Sequence, residues 1–164
     1  MERKRSIVKS LRLTPEEGGL VDFLAGLYGK DTSDFLRDVF LEWTAIHRQE
    51  IAEKSFHVNQ LLNKIEKSKP SEAELLKAKT LYPGIDPMFV AIAEKFAREA
   101  RKMGVGYAFA LGLVTQSEVE DKINLAFLKS FAEEYEKIQK EKSLGEHFRL
   151  LRKKYFGEEG EENE

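Results

Sequence analysis

Arg3, Lys4, Arg5, Lys9 and Arg12 crowd the first thirteen residues against a single acid, Glu2. Cationic groups at that density do one kind of chemistry without further help, the recognition of anions such as backbone phosphates. Beneath them runs an alternating pattern, Val8-Lys9-Ser10-Leu11-Arg12-Leu13. An extended chain sends successive side chains to opposite faces. With Leu11 and Leu13 turned inward, Ser10 and Arg12 share the outer face with Val8. Arg12 can then offer a bidentate pair to guanine, Ser10 can bond to several bases, and Val8 can touch a thymine methyl. Lys9 falls on the inner face, near the strand end, where a long side chain can snorkel outward. Arg3, Lys4 and Arg5 are expected on phosphates.

Other chemistry finds little support. The chain has no cysteine, which excludes disulfides, thiolate metal sites and cysteine nucleophiles. His47, His57 and His147 are not at metal-ligand spacing, so solvated or packed histidines are expected. Gly104-Val105-Gly106 lacks a preceding strand and reads as a helix break rather than a nucleotide loop. Glu133, Glu134 and Glu136 sit among lysines on what reads as a solvated helix face. No catalytic constellation, metal site or cofactor motif is expected, and the chain does not read as an enzyme.

The elements that must position the basic segment are mostly helices. Capping side chains followed three residues later by an acid close orphan backbone N–H groups at helix starts. Such pairs occur at Thr14/Glu17, Asp31/Asp34, Ser71/Glu74, Thr115/Glu118 and Ser143/Glu146, and Asp86-Pro87 marks a sixth start. The first helix is predicted from Pro15 to Tyr28, with Gly29 as its stop. Gly18, Gly19 and Gly26 weaken it by up to about 1 kcal/mol each relative to Ala. The second starts at Asp31 and meets no breaker until Pro70, so one long helix or two are both open. Phe89, Ile92, Phe96 and Met103 mark a later helix, and Tyr107 to Val114 reads as helix or buried loop. A long amphipathic helix carries Val119, Ile123, Phe127, Phe131, Tyr135 and Ile138, and a last one carries Leu144, Phe148, Leu151 and Tyr155.

Only residues 8–13 read as strand. A lone strand cannot satisfy its own backbone, so its expected partner is the same strand of a second copy. The result would be a homodimer whose two-stranded ribbon fits the DNA major groove. From Ser6 to Trp43 the chain resembles the ribbon-helix-helix family of DNA-binding proteins. The matching residues are the strand, the helix entry Thr14-Pro15-Glu16-Glu17, the turn at Gly29, and Asp31-Thr32-Ser33-Asp34-Phe35-Leu36-Arg37. The resemblance implies antiparallel strands from two chains reading bases, with the second helix clamping a phosphate at its N-terminus. The backbone N–H groups of Thr32 and Ser33, with Lys30 beside them, are the expected clamp.

The expected fold is mainly α: an N-terminal ribbon-helix-helix module of one strand and two helices, followed by an all-helical C-terminal domain. The predicted boundaries are 1–48 for the DNA-binding and dimerisation module, 49–69 for a helical connector, 70–157 for the helical domain and 158–164 for an acidic disordered tail. At 164 residues and 41% hydrophobic content the chain can build a real core. Its net charge of -2 hides a polarity, since residues 157–164 carry five glutamates and no base. Abundant Lys and Glu are compatible with a heat-loving source. No apolar run is long enough to span a bilayer, and the charged N-terminus has no signal-peptide core behind it, so a cytoplasmic protein is expected. The leading functional expectation is a sequence-specific transcriptional regulator that binds double-stranded DNA as a homodimer. Its C-terminal helices would add oligomerisation or partner contacts. An antitoxin or a replication, partition or conjugation accessory protein is the first alternative; a helical scaffold or enzyme that dimerises through the strand is the second.

Overall fold

The computed structural model of the chain describes residues 9–157. Among them are seven helices and no strand: α1 (Pro15–Leu27), α2 (Thr32–Ile46), α3 (Arg48–Lys67), α4 (Glu72–Leu81), α5 (Pro87–Lys102), α6 (Tyr107–Thr115) and α7 (Val119–Phe156). The chain divides between Arg48 and Gln49 into two compact units.

The expected ribbon-helix-helix architecture is overturned, because residues 9–13 form no strand. A strand exists through its hydrogen-bonded ladder, and no other described segment is extended for these residues to pair with. Thr14 then commits the chain to helix. The alternation of buried and outward side chains is also missing: Leu11 and Leu13 are 65% and 41% exposed. Val8, where the strand was expected to begin, lies outside the described residues.

Two helices make up the first unit. Thr14 Oγ1 accepts the Glu17 N–H at 3.2 Å and Glu17 Oε2 accepts the Thr14 N–H at 2.9 Å, so the expected capping box starts α1 at Pro15. Gly29, at φ 65°, ends it. Its N–H donates to the Gly26 carbonyl at 3.2 Å and the Lys30 N–H reaches the Ala25 carbonyl at 2.9 Å. That pair of bonds closes a helix end through a left-handed residue, a conformation that glycine adopts without strain. Asp31 caps α2 by accepting the Asp34 N–H at 2.8 Å. Helix α2 does not run on to Pro70, as the missing breaker allowed, but stops before His47. The His47 ring stacks on Trp43 with centroids 4.2 Å apart. Its Nδ1 lies 2.8 Å from the Trp43 carbonyl that also accepts the His47 backbone N–H at 3.0 Å. The ring and backbone nitrogens of His47 thus both approach one carbonyl at the helix end.

The second unit is built around α5. Asp86 and Pro87 start it as expected, and Gly104, at φ 79°, ends it by the same double hydrogen bond as at Gly29. Phe96, Ala97 and Ala100 of α5 pack with Val58, Leu62 and Ile65 of α3, Ala110 and Leu113 of α6, and Leu128 of α7. A satellite cluster joins Ala78 of α4 to Val90 and Ala91, with Leu75 beside them. The segment after Gly106, open between helix and buried loop, is helix α6.

Two expected helix starts move. Thr115 ends α6 instead of opening α7, and Glu118 is the cap, its N–H donating to Asp121 Oδ2 at 3.1 Å. Ser143 opens nothing, because α7 runs unbroken through it. A capping side chain starts a helix only where the backbone is not already helical, and Gly145 alone costs only about 1 kcal/mol relative to Ala. Helix α7 also faces the core differently from its predicted stripe. Leu128 and Ala132 are buried, whereas Phe127 is 59% exposed.

Phe96 is fully buried. Phe96→Ala should cost about 3–5 kcal/mol through lost transfer energy and a cavity. Urea unfolding followed by circular dichroism should show the second unit's midpoint fall accordingly.

Candidate nucleic-acid interface

The residues preceding Thr14 reach solvent along their whole described length, and Ser10 and Arg12 are both exposed. Their anchor is the α1 capping box, which fixes the chain direction at Thr14 while leaving side chains upstream to face outward. Arg3, Lys4, Arg5 and Val8, expected to share this surface, lie outside the described residues.

The start of α2 carries a different electrostatic character. Lys30 Nζ donates to Asp38 Oδ2 and forms an ion pair with it. That hydrogen bond, more than the charges of Asp38, Asp34 and Glu42, raises the Lys30 pKa above its ordinary value. The Thr32 hydroxyl donates to Asp22 Oδ1 of α1 at 2.8 Å. The Asp31 carboxylate already holds the Asp34 N–H. Ser33 is exposed. The structure thus brings Lys30, Thr32 and Ser33 together at one helix start, and surrounds them with carboxylates. The sequence pattern carried the Asp31 cap but not the bonds from Asp22 and Asp38. Those run between residues ten and eight positions apart, the first across the α1–α2 turn and the second from the turn onto α2, beyond any local motif.

The dominant feature of this unit is apolar. Of its described residues only Ala25 is buried, while Leu20, Phe23, Leu27, Phe40, Trp43 and Ile46 are each more than half exposed. A two-helix unit gains too little from one buried alanine to offset the entropy of ordering its backbone. These side chains need a cover.

No group of three or more His, Asp or Glu side chains placed to hold a metal occurs among the described residues. His47 packs on Trp43, and His57 lies 3.9 Å from Glu53. No described helix is long and apolar enough to cross a membrane. A concave apolar site lies in the second unit, where α3, the α5–α6 turn and α7 leave a cavity of about 270 Å³. Sequence periodicity did not point to it, since Lys54 and Ser55 of α3 and Asn124 of α7 lie far apart in the sequence.

Asp38→Asn should bring the Lys30 pKa down toward the ordinary lysine range, as followed by NMR titration of its side chain. A lysine with a raised folded-state pKa adds stability that is fully present below the unfolded value and is lost as pH rises through the folded one. The small difference in thermal midpoint between wild type and variant should therefore be present at neutral pH and vanish in strongly alkaline solution.

Comparison with known proteins finds no matching family model, no matching curated protein and no matching solved structure.

Proposed function

We propose that this protein binds double-stranded DNA as a homodimer and acts as a transcriptional regulator in the cytoplasm. The observation that carries the reading is the exposed apolar surface of α1 and α2, helices that follow the basic N-terminal segment in the sequence. A second copy supplies the most economical cover for Phe23, Leu27, Phe40 and Trp43, since a self-complementary patch closes on itself by two-fold symmetry. Dimerisation then sets two basic segments on one assembly, each with five basic residues against one acid in its first thirteen. Paired cationic segments suit the two half-sites of a palindromic duplex.

Roles within the segment follow from side-chain chemistry. Arg12 has the planar fork that recognises guanine edges, Ser10 can bond to several bases and Val8 can meet a thymine methyl. Arg3, Lys4 and Arg5 neutralise phosphates and carry no sequence information. No catalytic step enters this reading. The C-terminal helices add oligomerisation or partner contacts, and the exposed Leu144, Phe148 and Tyr155 on α7 support that role.

Selection from a random-sequence DNA pool followed by binding titrations tests the proposal. Arg12→Ala should cost about 1–3 kcal/mol on the selected site and relax preference at one position per half-site. Replacing Arg3, Lys4 or Arg5 should weaken all sequences alike and reduce the salt slope by roughly one for each phosphate no longer neutralised. Equal weakening of every sequence by Arg12→Ala would assign Arg12 to the backbone instead. Absence of binding by the wild type to any duplex at low salt would end the reading. Phe23→Asp with Phe40→Asp should convert the dimer to monomer in sedimentation velocity, and the stability of the wild-type N-terminal unit should rise with protein concentration.

A further inference from the structure

We propose that the cavity between α3, the α5–α6 turn and the middle of α7 binds a small monocarboxylate with an extended apolar body. The site belongs wholly to the second unit and does not depend on the DNA reading. Its volume of about 270 Å³ is close to the lower end of the roughly 300–1,000 Å³ typical of ligand pockets. A short-chain ligand fits; a nucleotide or a protein segment does not. Most of the wall is apolar, contributed by Val58, Val105, Phe109, Phe127, Leu128 and Phe131. Burial of a hydrocarbon body against those side chains supplies the affinity, at roughly 25 cal/mol per Å² of apolar surface removed from water.

Polar groups on the lining are few: Lys54, Ser55 and Asn124. Lys54 is the only charged residue among them, and the lining holds no carboxylate. The Lys54 ammonium lies beside Gly104 on this wall. Lys54 Nζ lies 3.6 Å from where a Cβ on Gly104 would sit, and the left-handed backbone there, φ 79°, favours glycine. An apolar chamber with one cation complements a ligand with an apolar body and a single negative charge. Ser55 and Asn124 can donate further hydrogen bonds to a carboxylate.

Isothermal titration of the full-length protein with octanoate, octanol and octylamine tests the assignment. Octanoate should bind at one per chain, and octanol about tenfold more weakly, the factor expected for a charge-assisted hydrogen bond at a partly solvated site. Octylamine should not bind. Lys54→Met keeps the apolar stem, so it should erase the preference for octanoate over octanol while leaving octanol affinity and helix content unchanged. Ser55→Trp should fill the cavity and abolish binding of both. Octanol bound as tightly as octanoate by the wild type, or no octanoate binding at all, would overturn the proposal whatever the variants do. Retention of the preference in Lys54→Met would overturn it too. Octanoate binding that weakens as protein concentration rises would place a second copy over the cavity and remove the ligand site.

Discussion

The second unit depends on the small-residue face of α5. Ala93, Ala97 and Ala100 are buried there beside Phe96, so neighbouring helices can approach this backbone closely while one large side chain fills the centre. Helix axes pack about 8–10 Å apart according to the side chains between them, and alanines favour the short end. Helices α3, α4, α6 and α7 each present residues to a cluster that α5 shares. Glycine makes a second close approach possible at Gly112 of α6. A Cβ there would collide with the Asp121 carboxylate, whose Oδ2 accepts the Glu118 N–H at the start of α7. A methyl group at Gly112 would therefore disturb the cap that begins the longest helix.

The first unit has no equivalent of α5. Its helices are well terminated, by a capping box at Thr14, a capping aspartate at Asp31 and a left-handed glycine at Gly29, but termination is a local matter. Caps decide where a helix begins and ends, and burial decides whether it persists. With Ala25 alone buried among the described residues of this unit, α1 and α2 have their boundaries without a core of their own. Three glycines in α1 sharpen the contrast, since each lowers its intrinsic helicity. Sequence and structure agree here on one physical point: local signals bound these helices, and little within the unit buries them.

Legibility in the sequence followed the range of the interactions involved. Thr14/Glu17, Ser71/Glu74 and Asp86-Pro87 marked true starts because a cap is a contact between residues two or three apart. Gly29 and Gly104 marked true stops for the same reason. The strand failed because its ladder requires a distant partner, which no pattern within thirteen residues can specify. The break at His47 was invisible because it occurs without proline or glycine, at a place marked only by an imidazole stacked on Trp43. Ser143 misled in the opposite sense, a capping pair inside a helix that the backbone had no reason to leave. On α7, the aromatic spacing of Phe127 and Phe131 suggested the core, yet Leu128 and Ala132 fill it. A helix with an aromatic stripe at Phe127 and Phe131 beside an aliphatic one at Leu128 and Ala132 does not declare which stripe is inward. The cavity residues were illegible for a related reason, since Lys54, Gly104 and Asn124 meet only after three helices have packed.

The distribution of charge around α1 and α2 constrains how any polyanion can meet this unit. Lys30 is neutralised by Asp38, and Asp34 and Glu42 lie near enough to raise its pKa further. Asp22 holds Thr32, and Asp31 holds the first turn of α2. A phosphate brought to this helix start would compete with carboxylates for the donors it needs, so the favourable helix dipole is already spent on internal acids. Arg12, by contrast, is exposed on the segment leading into Thr14. The described chain therefore carries an acidic α1–α2 turn, with exposed Arg12 on the segment that leads into α1. Carboxylates around the α1–α2 turn disfavour a polyanion there. In the proposed complex the N-terminal residues therefore govern the approach of the duplex, and the α2 start orients the encounter by exclusion.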